Sequence, residues 1–251
     1  MALFIGTSGW TYPHWKKTFF PEKLSATERL HFYAQHFSSV EINTTFYGTP
    51  ARSTVRAWKE AVPKTFRFAI KASRFTTHNK KLLEPRKSTV KFFRAIEPLG
   101  EITLAILFQL PPKWKFNPER LGAFLKKMPR DYRYAFEFRN PTWLCPEAFD
   151  LLREYRAALC IYDLRGFLSP LELTADFTYL RLHGPQAEAY RGSYPAPALE
   201  KWKREILAWR KKRKDVYVYF DNDEKAYAAG NAQKLIDLVG PKHAARHAGA
   251  V

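Results

Sequence analysis

The 251-residue chain is poor in cysteine, poor in acid relative to base, and free of long apolar runs. Its two cysteines, Cys145 and Cys160, have neither metal-binding nor redox spacing, so reduced thiols in a cytoplasmic protein are expected. No run is apolar and long enough to span a bilayer, and no membrane partner is expected. Met1-Ala2-Leu3-Phe4-Ile5 lacks the basic lead and cleavage site of a signal peptide. Gly6-Thr7-Ser8-Gly9 is neither a dinucleotide fingerprint nor a P-loop. No HxH or HExxH pattern occurs, so the dense ligand set of a multi-zinc nuclease is missing. No cofactor is predicted, although a single divalent ion on Glu41, Glu137 or Asp163 stays open.

What is present is base, aromatics and a repeating pattern. Lys plus Arg number 42 against 24 Asp plus Glu, a formal charge of +18. Such an excess attracts polyanions at long range, and it also serves solubility. Hydrophobic residues make up 46% and aromatics 16%, enough for a sizeable core. Val40-Glu41-Ile42-Asn43-Thr44-Thr45-Phe46-Tyr47 reads as a buried strand ending in polar groups, with Glu41 and Asn43 on one face. The same ending recurs: an apolar run, one or two charged or amide groups, then a loop. Strands are expected at 3–5, 40–47, 66–71, 103–110, 132–138, 158–163, 177–182 and 216–220. Helices are expected between most of them. Ser25-Ala26-Thr27-Glu28 is a capping box, and Asn117-Pro118 an N-cap followed by proline.

Eight strands alternating with helix-length connections predict an α/β fold, a (β/α)8 TIM-like barrel spanning 1–240 as a single domain, with a frayed tail over 241–251. The link after strand six, Leu164 to Asp176, is too broken by proline and glycine for a full helix. An open doubly wound sheet is the alternative. In such barrels the working face lies at the C-terminal ends of the strands. Thr7, Glu41, Asn43, Lys71, Gln109, Glu137, Arg139, Asp163, Arg181, His183, Asp221 and Asn222 all fall there. Trp10, Tyr12 and Trp15 would form a wall or lid.

Six of these segments carry a resemblance. Ile5-Gly6-Thr7-Ser8-Gly9-Trp10, Val40-Glu41-Ile42-Asn43 with Phe46-Tyr47, Gln109-Leu110-Pro111-Pro112, Glu137-Phe138-Arg139, Tyr179-Leu180-Arg181-Leu182-His183-Gly184 and Tyr217-Val218-Tyr219-Phe220-Asp221-Asn222-Asp223 resemble the YecE-like proteins, the family called domain of unknown function seventy-two. The resemblance covers nearly the whole chain in order. It implies a TIM-barrel-like fold and no agreed activity. The pattern departs from the family at Asp221, where the family often has Asn, and at Asn140, where it often has His.

Two chemistries fit these residues. In the first, an enzyme acts on an anionic substrate, phosphorylated or nucleotide-containing, as a hydrolase or lyase. Glu41, Glu137, Asp163 and His183 would supply acid–base catalysis, and Trp10, Tyr12, Asn43, Tyr47, Lys71, Gln109, Arg139, Arg181, Asp221 and Asn222 would bind substrate. Against this, Glu137–Arg139 and Glu41–Lys71 could be structural ion pairs. In the second, the protein binds nucleic acid, with or without cleavage, using the mouth aromatics Phe46, Trp143, Tyr190 and Tyr194 as well. The densest basic run, Arg210 to Lys214, is expected at the opposite, N-terminal face, where it also complements a helix dipole. The oligomeric state is not legible.

Overall fold

The computed structural model describes residues 1–240; the predicted tail, with His243 and His247, lies outside the described residues. The elements follow in order: β1 (Leu3–Thr7), α1 (Ala26–His36), β2 (Ser39–Ile42), α2 (Thr44–Tyr47), α3 (Arg52–Glu60), β3 (Arg67–Lys71), α4 (Pro85–Ile96), β4 (Thr103–Leu110) and α5 (Pro118–Leu125). Then come β5 (Tyr134–Phe138), α6 (Pro146–Glu154), β6 (Ala158–Leu164), β7 (Phe167–Leu168), β8 (Phe177–Leu182), α7 (Ala196–Lys211), β9 (Asp215–Phe220) and α8 (Tyr227–Val239). Eight strands pair in parallel in the order β1-β9-β8-β6-β5-β4-β3-β2, and the two-residue β7 folds back antiparallel on β6. That hairpin occupies the irregular link expected after strand six.

Local signals account for the boundaries. The Ser25 hydroxyl accepts from the Glu28 amide while the Glu28 carboxylate accepts from the Ser25 amide, so the capping box starts α1. Asn117 accepts from the Arg120 amide at the start of α5, with Pro118 at the first helical position. One expectation fails. The strand at Val40 stops at Ile42, and Asn43 has helical angles (φ −93°, ψ −23°) before the short turn α2. Thr45 drives this, because its hydroxyl reaches the carbonyls of Ile42 and Lys71 at 3.1 and 2.7 Å. Glu41 and Asn43 therefore do not share a strand face.

Strand alternation sorts the core into two layers. Outward residues such as Ile5, Val40, Ile70, Phe108, Phe136, Leu180 and Val218 pack under the helices. Each such aliphatic or aromatic side chain contributes roughly 1.5–3 kcal/mol on burial. Inward residues are mostly small on one side (Ala69, Ala105, Ala135, Ala158) and large on the other (Phe177, Tyr179, Tyr217, Tyr219), which fills the barrel interior.

The barrel closes unevenly. β1 pairs with β9 along its whole length, but meets β2 by one bridge, Ser8 to Glu41. The Tyr33 hydroxyl of α1 fills the rest of this seam: it accepts from the Thr7 amide at 2.9 Å and donates toward the Ser39 carbonyl at 3.2 Å. Gly6 is required here, since a Cβ on it would stand 2.1 Å from the Ser39 carbonyl oxygen. Backbone lies on both sides of that clash. Gly6→Ala is expected to cost about 3 kcal/mol or more in denaturant unfolding. A variant as stable as the parent would mean that β1 slides from β2 freely.

Candidate functional site

The inward alternation that places alanines and tyrosines in the barrel delivers its polar residues one step further, at the C-terminal ends of the strands. Arg181 is the hub. It is fully buried, as are Glu41 and Glu137. Its Nε and one terminal nitrogen clasp Glu41 at 3.0 and 2.8 Å. The other terminal nitrogen donates to Glu137 at 2.8 Å, and Asp221 receives a bond of 3.0 Å. Ser8 donates to Glu41 at 2.5 Å and accepts from Arg181 at 3.1 Å. The Tyr179 hydroxyl donates to the second Glu41 oxygen at 2.6 Å. One guanidinium thus crosslinks strands β2, β5 and β8 and the residue that follows β9.

A second tier sits above it. Arg139 bonds through Nε to Glu137, and Gln109 donates to the same carboxylate at 3.1 Å. His183 stands with Nδ1 2.9 Å from Asp221 and Nε2 3.1 Å from Arg139 and 3.4 Å from Arg181. Guanidinium nitrogens only donate, so Nε2 must accept and the ring proton belongs on Nδ1, facing Asp221. Burial alone would raise the carboxyls. It is outweighed for Glu137 by Arg139, Arg181 and His183, which hold it well below the usual range. Arg181, His183 and Lys71 hold Asp221 at about 2 against the same effect.

Lys71 differs from these groups. It ends β3 and is 6% exposed. Among the described residues its ammonium makes no ion pair and no side-chain hydrogen bond; it lies over the Phe46 ring, 4.3 Å from the centroid. Burial first, then the Arg181 charge, push its pKa down to about 8, although Asp221, Glu41 and Glu137 pull the other way. His78 meets the same Phe46 ring edge-on, with centroids 5.1 Å apart. Burial and the cations Arg74, Lys71 and Arg139 push His78 down to about 4. Its Nδ1 is 2.9 Å from the Thr77 hydroxyl, whose proton goes to the Ser73 carbonyl. Nδ1 therefore donates, leaving Nε2 with its lone pair.

Of the other candidates, some reach the mouth and others do not. Tyr12 donates to the Ser8 carbonyl at 2.5 Å and receives the Asn43 side chain, so both sit at the rim near Glu41 and Asp221. Trp10 is buried in the outer core, edge-on to Trp58 at 5.7 Å, and Trp15 is fully buried as well. Neither forms the wall expected of it. Tyr47 is 76% exposed. Asp163 accepts from the Tyr194 hydroxyl at 3.2 Å, outside the Arg181 network. Asn222 is fully buried and donates to the Gly192 carbonyl and to Asn231, pinning the loop after β8 to α8. That loop carries Tyr190, which stands edge-on to His183 at 5.6 Å, and Gly184 (φ +106°), where a Cβ would meet the Arg191 carbonyl at 2.3 Å. Asn140, in place of the family's frequent His, accepts from Thr142 and donates to the Pro112 carbonyl, so it braces a loop. Of the two ion pairs weighed from sequence, Glu137–Arg139 forms, and Glu41 pairs with Arg181 instead of Lys71. Ser8 and Tyr179 were not singled out. Tyr179 is two positions from Arg181, and period two was the signal for it.

Among the described residues no group of three or more His, Cys, Asp and Glu side chains is arranged to hold a metal ion. No helix among them is long and apolar enough to cross a membrane. Two clefts of about 700 and 740 Å³ open at the opposite, N-terminal face. They are walled by Arg133, in a network with Asp176, Asp215 and Tyr217, and by exposed Lys126, Arg130 and Arg156. The run Arg210 to Lys214 ends at the same face, just before β9. This face is basic and half in solvent. The strand C-termini instead hold buried charges with shifted proton affinities, the usual mark of a candidate site.

Relatives share this frame. The chain is 28% identical over 270 residues to the UPF0759 protein YunF of Bacillus subtilis (strain 168), covering 94% of each. It is 32% identical over 144 residues to the UPF0759 protein YecE of Escherichia coli (strain K12), covering 56% of this chain and 50% of that one. The crystal structure of a DUF72 family protein (TM1631) from Thermotoga maritima MSB8 superposes with a TM-score of 0.84 at 28% identity, over 95% of this chain and 99% of the other. The family model "Protein of unknown function DUF72" matches residues 4–250. With the TIM-like barrel and these relatives on record, the chain belongs to the DUF72 family.

Proposed function

We propose that this protein is an enzyme acting on a small anionic substrate, phosphorylated or nucleotide-containing, at the C-terminal mouth of the barrel. One observation carries this reading. The acids of the mouth, Glu41, Glu137 and Asp221, are all taken by Arg181, Arg139 and His183, whereas Lys71 is left without an anionic partner. A desolvated ammonium without a counter-ion is costly, and a bound anion is the partner that relieves it. Arg74 and Arg139 add positive potential to the same space, which is why they depress His78.

Roles divide accordingly. Glu41 and Glu137 are scaffold for Arg181. Gln109, Arg139, Tyr190 and Asp221 line the approach. His78, neutral at physiological pH, and the His183–Asp221 pair supply proton transfer for a hydrolase or lyase. Free Cys145 and Cys160 fit a cytoplasmic setting. A second reading rests on the other face: Lys126, Arg130, Arg156, Lys211, Lys212 and Arg213 form an exposed basic surface suited to tracking a nucleic-acid backbone.

Thermal-shift screening separates the two. Sugar phosphates, nucleotides and short oligonucleotides are added to wild type and to Lys71→Met. A ligand at a hundred times its dissociation constant stabilises by about 2.7 kcal/mol, worth roughly 5–10 °C for a chain of this size. The expected result is a shift with one class of small anion, lost in Lys71→Met. A shift with oligonucleotides alone, kept in the variant and abolished by salt, would replace the enzyme reading with the second one.

A further inference from the structure

We propose that Lys71 is a nucleophile that condenses with the carbonyl carbon of a small anionic aldehyde or ketone, forming an iminium. The proposal rests on the reading of the mouth as an anion site and names the chemistry performed there.

The geometry supports attack by nitrogen. Lys71 ends β3, and its own carbonyl is held by the Thr45 hydroxyl at 2.7 Å, so the base of the side chain is fixed. The ammonium rests on the face of Phe46 and is tied to no carboxylate, so releasing a proton breaks no ion pair. The amine form is also accessible, because Lys71 loses its proton at about pH 8 rather than near 10.5. His78 lies against the same ring with Nε2 unprotonated, so no second ammonium-like charge competes for the incoming anion's carbonyl.

The step balances without an oxidant or reductant. Lys71 loses a proton to solvent, and the free amine attacks the carbonyl carbon. An N–C bond forms, and the carbonyl oxygen takes up a proton to give a carbinolamine. The nitrogen pair then expels the hydroxyl, which leaves as water with the proton returned from solvent. Ammonium plus carbonyl has become iminium plus water, with the positive charge conserved. Arg74 holds the substrate's anionic group, while Arg139, bonded to Glu137, adds positive potential beside it.

Borohydride-type trapping tests this. Wild type, Lys71→Arg and Lys71→Met are incubated with cyanoborohydride and, separately, pyruvate, glycolaldehyde phosphate or propanal. Early time points are mapped by peptide mass spectrometry. The expected result is an adduct at Lys71 that accumulates at least roughly tenfold faster than at exposed Lys17 or Lys113, given its lower proton affinity. It is absent from both variants. Faster labelling of Lys71 by the two anionic carbonyls than by propanal supports the anion site as well. Equal labelling by propanal keeps the nucleophile and overturns the anionic substrate. Labelling of exposed lysines with Lys71 spared overturns the nucleophile. If sugar phosphates then still raise the melting temperature of wild type and Lys71→Arg, but not of Lys71→Met, the anion site stands without it.

Discussion

Arg181→Met is expected to cost the protein about 5 kcal/mol or more, a fall in melting temperature of roughly 10–20 °C. Removing one partner of a buried ion pair typically costs about 3–5 kcal/mol, and here one guanidinium serves three carboxylates. Glu41 and Glu137 would remain fully buried with the charge of Arg181 gone. A typical domain has only about 5–15 kcal/mol in total, so much of the chain could fail to fold. The pH dependence gives a sharper signature. In wild type Asp221 titrates at about 2, below the usual ~3.9 of an unfolded aspartate. Its stabilising contribution is therefore complete above about pH 4 and is lost as pH falls through 2. Glu137, held well below its ordinary range, behaves the same way. The variant lacks this contribution, so its deficit should narrow on acidification from pH 4 towards 2. Denaturant unfolding across that range measures it. A deficit that is small at neutral pH, or constant with pH, would mean that the carboxylates do not depend on Arg181. The same network explains why Glu41→Gln is a poor probe of activity: it alters a fully buried clamp on the barrel before it touches any substrate.

Lys71→Met should have the opposite sign and raise stability by about 2 kcal/mol at pH 7, or ~4–8 °C, because the burial cost of roughly 3 kcal/mol exceeds the lost contact with Phe46. The folded state binds the Lys71 proton less tightly than the unfolded chain does, with pKa values of about 8 and 10.5. Below pH 8 both states are protonated, and the folded state bears the full cost of a buried ammonium. Between pH 8 and 10.5 the folded lysine is neutral while the unfolded one is still charged, so that cost fades. The gain from methionine should thus be constant below pH 8 and shrink as pH rises towards 10.5. Methionine keeps the unbranched apolar stem against Phe46, so little packing is lost. A variant destabilised at pH 7 would show that the contact with Phe46 outweighs the burial cost, which is about 0.5–2 kcal/mol for such pairs. Stability gained by deleting a side chain is the mark of a residue retained for something other than the fold.

The barrel was legible because its evidence is local and periodic. Alternation along each strand put Glu41, Lys71, Gln109, Glu137, Arg181 and Asp221 on inner faces, and parallel βα order put those faces at one end. Partners were not legible. Glu41 pairs with Arg181, 140 positions away, and not with Lys71, because the clasp depends on how far a long guanidinium reaches across the barrel. Side-chain directions were least legible where strands stop. Trp10, Asn43, Tyr47 and Asn222 all lie just past a strand end, where period two no longer governs direction and the turn chemistry of Thr45 or the demands of the loop after β8 take over. Tyr179 was within reach of the same rule that found Arg181, two residues on, but a tyrosine in a strand reads first as core.

The uneven closure of the barrel bears on how the chain is made. β1 is synthesised before every other strand, yet its continuous ladder joins β9, with Leu3 opposite Val216. Its other neighbour, β2, offers a single bridge and a tyrosine hydroxyl. During translation β1 is therefore an apolar strand with both edges open until the β9 segment emerges, and contacts this distant in sequence form slowly. While it waits, β9 of a second copy is chemically equivalent to its own. The seam therefore leaves the growing chain open to strand exchange with a neighbouring copy until β9 has been made.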